Sequence, residues 1–194
     1  MEDKFLIIAF TPPTPRRDEI EWINQLLMNE EYAVDRIHIR HPGIDIRPIL
    51  KQIPDNLIKK LSIHDQPELL FEFPELGFHF NVRNPRTEIS GQRVMSMSCH
   101  SWTEVQNVEK LDYVTLSPVF DSISKKNYKA NNSLLNGWRE TPSKVIAMGG
   151  VSLENLSSLK NFNGAAMLGT LDCSLKEIPF LLKEIRQITR CFNS

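Results

Sequence analysis

Short apolar runs alternate with amphipathic stretches eight times along this chain, and that alternation constrains the fold more than any other feature. The runs that read as strands are 5–10 (FLIIAF), 34–40 (VDRIHIR), 61–64 (LSIH), 77–81 (GFHFN), 93–98 (RVMSMS), 113–116 (YVTL), 144–148 (KVIAM) and 165–168 (AAML). They are rich in β-branched and apolar residues, and the first is apolar throughout, as in a strand buried on both faces. Helical patterns fall at 16–29, 44–52, 66–73, 101–109, 131–138, from Ser152 onward, and at 174–190. In the first, Ile20, Ile23, Leu26 and Leu27 recur at helical spacing. Ser101 with Glu104 has the spacing of a capping box, and Ser152 with Asn155 opens the next-to-last helix. Residues 82–91 read as a loop or a single turn. Strict strand–helix alternation implies a parallel sheet, which leaves two architectures: a closed (β/α)8 TIM barrel or an open doubly wound sheet. A barrel of 194 residues would be a small single domain with several shortened helices.

Composition narrows the class. With 41% hydrophobic and 24% charged residues and a net charge of −1, the chain has a normal globular balance and no general attraction to nucleic acid or an anionic membrane. No apolar run approaches the ~18 residues of a spanning helix. The acidic start, Met1-Glu2-Asp3, is unlike a signal peptide. The 3 cysteines, Cys99, Cys173 and Cys191, show no metal-type spacing and read as reduced thiols of a cytoplasmic protein. Association into a homo-oligomer stays open.

In an α/β barrel, chemistry gathers where strands end and loops begin. Those ends hold Arg40 and His41, His64 and Asp65, Asn81 with Asn84, Ser98 and His100, Gly149 and Gly150, and Gly169 with Thr170. Arg40 suits an anion. Asp65 suits a hard cation or a helix cap, and His64 suits either a ligand or packing. His38 and His79 lie inside strands and read as structural. The loop after 113–116 carries Ser122, Ser124 and Lys125, two hydroxyls and an ammonium suited to a phosphate or diphosphate. The glycine-ended last two strands suit backbone approach to a second phosphate. There is no nucleophile with an adjacent base, no Walker loop and no dinucleotide fingerprint. Covalent hydrolysis therefore lacks support, and two anion sites suggest two phosphorylated small-molecule ligands.

The segments IHIRHPG (37–43), IHDQPEL (63–69), GFHFNVRNP (77–85), SMSCHSWTEV (96–105), DYVTLSPVFDSISKK (112–126), VIAMGGVSLENL (145–156) and GAAMLGTL (164–171) together resemble thiamine phosphate synthase and its relative, the thiazole tautomerase. The resemblance implies the (β/α)8 barrel. It also implies joining of an aminopyrimidine diphosphate to a thiazole phosphate, with release of diphosphate and magnesium as cofactor. By resemblance, Arg40, Ser98 and Lys125 contact the diphosphate, and Asp65 is a magnesium ligand. His64 stands where the family often has an asparagine that touches the pyrimidine. Ser122 and Ser124 replace two threonines at the thiazole, and Gly150, Leu168 and Gly169 match its phosphate site.

Some positions depart from the pattern. His41 and Pro42 stand where a lysine is common after the strand-two arginine. Asn84 replaces a second magnesium aspartate, and a neutral amide is the poorer ligand for a hard cation. Magnesium binding is therefore expected to be weak and substrate-assisted. The tautomerase histidine falls at Pro118. The alternatives are a tautomerase-like isomerase and a non-catalytic barrel that binds a phosphorylated metabolite.

Overall fold

A computed structural model describes residues 4–29, 31–81, 93–121, 131–137 and 139–193. Eight strands close into one parallel barrel in sequence order: β1 (Leu6–Phe10), β2 (Arg36–Ile39), β3 (Leu61–Ile63), β4 (Gly77–Phe80), β5 (Met95–Cys99), β6 (Tyr113–Leu116), β7 (Lys144–Met148) and β8 (Gly164–Met167). β8 pairs with β1, so the sheet has no free edge and the open doubly wound alternative is set aside. The helices are α1 (Glu19–Met28), α2 (Arg47–Leu50), α3 (Asp55–Ile58), α4 (Leu69–Glu72), α5 (Trp102–Asn107), α6 (Asn132–Asn136), α7 (Leu153–Leu156) and α8 (Ile178–Arg190). Among the described residues, only α1 and α8 exceed two turns. No helix among the described residues is long and apolar enough to cross a membrane.

Differences from the sequence pattern have local causes. The stretch 44–52 holds only α2, and a separate turn of helix, α3, follows Pro54. The pattern at 66–73 shortens to α4 because Gln66 adopts a left-handed φ of 60°, which no helix continues through. The final helix begins at Ile178 rather than 174, since Ser174 spends its hydroxyl on Glu177 in a preceding turn, at 2.6 Å. Both anticipated caps form. Ser101 accepts from the Glu104 N–H, and Ser152 and Asn155 make a reciprocal box.

The period-2 alternation of each strand divides its side chains between two spaces. Ile7 and Ala9, Ile37 and Ile39, Leu61 and Ile63, Phe78 and Phe80 join the core between sheet and helices. The alternate positions face the barrel interior, where Ile8, Phe10, Tyr113, Ile146 and Ala166 form a second, smaller cluster. Trp22 fastens α1 to the end of the barrel by donating to the Leu171 carbonyl at 2.9 Å. Arg186 of α8 donates to the Phe5 carbonyl at 3.3 Å and to Asp35 at 2.8 Å, tying the last helix to the starts of β1 and β2.

The chain leaving β6 rests on the glycines that follow β7. Val119 N–H donates to the Met148 carbonyl at 2.9 Å and Phe120 N–H to the Gly149 carbonyl at 3.0 Å. Gly150 has φ +63°, and a Cβ there would stand 2.0 Å from the Asp121 carbonyl oxygen. Backbone meets backbone, so no rotamer change relieves the clash. Gly150→Ala is expected to destabilise the fold by roughly 2 kcal/mol or more through strain and displacement of this loop, read as a lowered urea midpoint.

Candidate active site

The barrel interior is polar on one side and apolar on the other. Strands β1, β7 and β8 contribute Ile8, Phe10, Ile146 and Ala166. Facing them are His38 of β2, His64 just beyond β3, His79 of β4, Ser96 and Ser98 of β5 and Tyr113 of β6. Branched aliphatics usually fill such a space, and three imidazoles in it need partners. His38 Nδ1 lies 2.9 Å from His64 Nε2, and His38 Nε2 meets the Tyr113 hydroxyl. His79 Nδ1 lies 2.8 Å from Ser96 Oγ, and its Nε2 is 2.8 Å from Ser98 Oγ. Phe10 stacks on His38 at 4.4 Å between centroids. Beneath this layer, Arg36 donates to Ser62 Oγ at 3.1 Å and to the Leu61 carbonyl at 2.8 Å. Gly77 leaves space there, because a Cβ on it would meet Ser62 Oγ at 2.4 Å and Arg36 Nη1 at 2.8 Å.

Burial sets the protonation of this cluster. It holds His38 well below its ordinary value of 6.5, with the neighbouring His79, His64 and Arg36 adding to the effect. Burial also pushes His79 down to about 3, helped by the charge of Arg40. The Tyr113 phenol is raised by burial. Both imidazoles are therefore neutral at neutral pH, able to offer a lone pair or share a proton.

Several residues singled out in the sequence converge on this end of the barrel. Arg40 follows β2, and its backbone N–H donates to Thr11 Oγ1 at 2.9 Å. Asp65 follows His64 and is half-buried. Ser98 bonds to His79, and Gly149 and Gly150 carry the loop after β6. Leu168 closes the apolar side of the interior, and its carbonyl accepts from Leu171 and Asp172 in the turn that begins at Gly169. His41 goes elsewhere. It is buried, with Nε2 2.6 Å from Glu19 Oε1 on α1, and it offers no face to a substrate. Its position explains this, since it is out of phase with His38 and Arg40. Asn84, Ser122, Ser124 and Lys125 lie outside the described residues. His38 and His79, read from the sequence as structural, are central to the cluster. The available signal was parity: His38 precedes Arg40 by two and so shares its face.

A sequence profile of thiamine monophosphate synthase matches residues 50–170, well over half of the chain. The chain belongs to the thiamine monophosphate synthase family. Among solved structures it is similar to a thiamine phosphate pyrophosphorylase from Bacteroides thetaiotaomicron, at 26% identity and TM-score 0.75, over 96% of this chain and 98% of that one. A thiamine phosphate pyrophosphorylase from Pyrococcus furiosus has the same fold, with TM-score 0.79 at 18% identity over 100% of this chain and 99% of that one. The fold extends to (S)-3-O-geranylgeranylglyceryl phosphate synthase from Thermoplasma acidophilum, with TM-score 0.56 at 12% identity over 96% of this chain and 94% of that one. No curated protein matches closely enough to count as a relative.

The depressed histidines make stability depend on pH with a definite sign. Below 6.5 the unfolded chain takes up protons that folded His38 and His79 do not. Their contribution is complete above 6.5 and is lost as pH falls from there toward the folded values. Stability should drop by up to about 1.4 kcal/mol per pH unit for each histidine. Urea unfolding between about pH 7 and pH 5 should show this slope, and His79→Gln should reduce it by about one proton's worth.

Proposed function

We propose that this chain is a transferase of the thiamine phosphate synthase type. It would couple an aminopyrimidinylmethyl diphosphate to a thiazole ethyl phosphate, giving thiamine phosphate and diphosphate. The observation that supports this best is the near end-to-end correspondence with the Bacteroides thetaiotaomicron thiamine phosphate pyrophosphorylase, together with the family match across the middle of the chain.

The reaction asks little covalent chemistry of the protein. The bond between the pyrimidine methylene carbon and the diphosphate oxygen breaks, and the diphosphate leaves with the electron pair. The thiazole nitrogen then forms a bond to that carbon. In this reading Arg40, Ser98 and Lys125 stabilise the negative charge that develops on the departing oxygens. Gly149, Gly150, Leu168 and Gly169 hold the thiazole phosphate, with Ser122 and Ser124 beside the ring. Holding the two partners together supplies much of the remaining rate. By resemblance His64 stands at the pyrimidine position, though its ring is buried with Nε2 2.9 Å from His38 Nδ1.

Asp65 is the hard oxygen donor at the end of β3, half-buried rather than solvated. One carboxylate suits magnesium when substrate phosphates complete the shell, so Asp65, with Asn84 as a weaker second donor, fits the ion in that manner. Magnesium bound there would offset diphosphate charge. The isomerase reading is less well supported, because Pro118 stands where the tautomerase carries its proton-transfer histidine. A barrel that only binds a phosphorylated metabolite would give affinity without product.

Purified protein incubated with both substrates and magnesium is expected to form thiamine phosphate. Absence of product despite micromolar binding of the thiazole phosphate would favour the binding reading. Arg40→Ala and Lys125→Ala are each expected to lower turnover by ~10²–10³-fold. A thermal melt of each variant separates lost turnover from lost folding. Wild-type turnover in both variants would remove them from the diphosphate site.

A further inference from the structure

We propose that His38, His64 and His79 form a site for one divalent cation of the zinc class, distinct from any magnesium held by Asp65. One ring nitrogen from each of the three lies within 4.8 Å of the other two. All three are buried, at 0%, 3% and 0% exposure; His38 and His79 lie on β2 and β4, and His64 directly follows the end of β3 between them. The barrel ladder therefore fixes the backbone of two ligands and the entry of the third. Zinc–nitrogen bonds of about 2.0–2.1 Å in tetrahedral array put the nitrogens roughly 3.3 Å apart. His38 Nδ1 and His64 Nε2 are already at 2.9 Å, so His79 makes the main adjustment by turning its ring. An ion between the first two nitrogens takes the place of the single proton they share.

The surroundings are those of a ligand set. A metal-bound imidazole commonly donates its other N–H to a polar partner, which fixes the tautomer. His38 Nε2 has the Tyr113 hydroxyl for this. His79 has a serine on each nitrogen, Ser96 on Nδ1 and Ser98 on Nε2, so whichever nitrogen ligates, the other keeps a partner. The donors are three imidazoles without a carboxylate, which favours borderline cations such as zinc, cobalt or nickel over magnesium. Three histidines with an open fourth position are also a ligand count seen in catalytic zinc sites. Thr115, paired in register with Ser98, carries a fully buried Oγ1 with no hydrogen-bond partner among the described residues. That hydroxyl can meet a water or anion in the fourth position.

The site can be tested apart from thiamine phosphate synthesis. Metal-free protein titrated with Co²⁺ is expected to bind one ion per chain, with the visible absorption of a four- or five-coordinate nitrogen site and no thiolate charge-transfer band. Zn²⁺ should displace it. His64→Ala should weaken Zn²⁺ binding by more than ~10²-fold, and Tyr113→Phe, which removes only the hydroxyl on His38, by roughly 10-fold. Cys191→Ser, which deletes the exposed thiol, should change nothing. If His64→Ala does not fold, nitrogen NMR of the wild-type imidazoles decides, since zinc must shift the resonances of all three. Uptake below one ion, full affinity in a folded His64→Ala variant, or unmoved imidazole resonances would overturn the proposal.

Discussion

A polar group inside a closed barrel must find its partner inside the barrel, and this requirement organises the rest of the molecule. Closure of β8 on β1 leaves the sheet without an edge and buries the inward side chains of His38, His79, Ser96 and Tyr113. The imidazoles of His38 and His79 are then tolerable because partners stand beside them: the hydroxyls of Tyr113, Ser96 and Ser98, and the His64 ring for His38. Ser96 and Ser98 come from β5, the neighbour of β4, and Tyr113 from β6, across the barrel from β2. The polar side of the interior is thus a property of five strands together. The apolar side, from β1, β7 and β8, supplies packing area without competing for hydrogen bonds.

The same closure explains why the mouth is built from glycine and turn residues. Eight strand ends converge there, so successive loops must pass within contact distance. Gly149 and Gly150 allow the chain after β6 to lie on the chain after β7 at a separation that a side chain would forbid. Read from the sequence alone, these glycines suggested backbone approach to a phosphate. Their close packing against Pro118 and Asp121 adds a structural reason for them.

The barrel was legible because its signals are local. Phe5 to Phe10 reads as a strand on its own residues, and Ser101 with Glu104 caps α5 within four positions. Short helices such as α3 were missed because a single turn leaves no periodicity to detect. The site was legible only at its rim. Arg40, Asp65 and Ser98 are conspicuous beside strand ends, whereas His38 and His79 sit among apolar neighbours as buried structural histidines do. Their grouping with His64 depends on register across three strands, a long-range fact. His41 was misplaced for the converse reason: nearness to Arg40 in sequence suggested a shared site, while alternation sends it toward Glu19.

The distribution of donors with depth has a chemical consequence. Oxygen and cationic groups, Asp65 and Arg40, stand at the rim, where a diphosphate and a hard cation would meet them. Nitrogen donors lie deeper, where solvent is excluded. Arg40 connects the two levels. After burial itself, its charge is what keeps the His79 proton off. The positive charge that suits Arg40 to an anion thus also preserves the neutral imidazole, the form with a lone pair to give. It opposes a bare cation at the same place, so an ion among the histidines is best balanced when an anion occupies the mouth above it. Occupancy of the deep site and of the rim should therefore favour each other, as opposite charges brought into one low-dielectric space do.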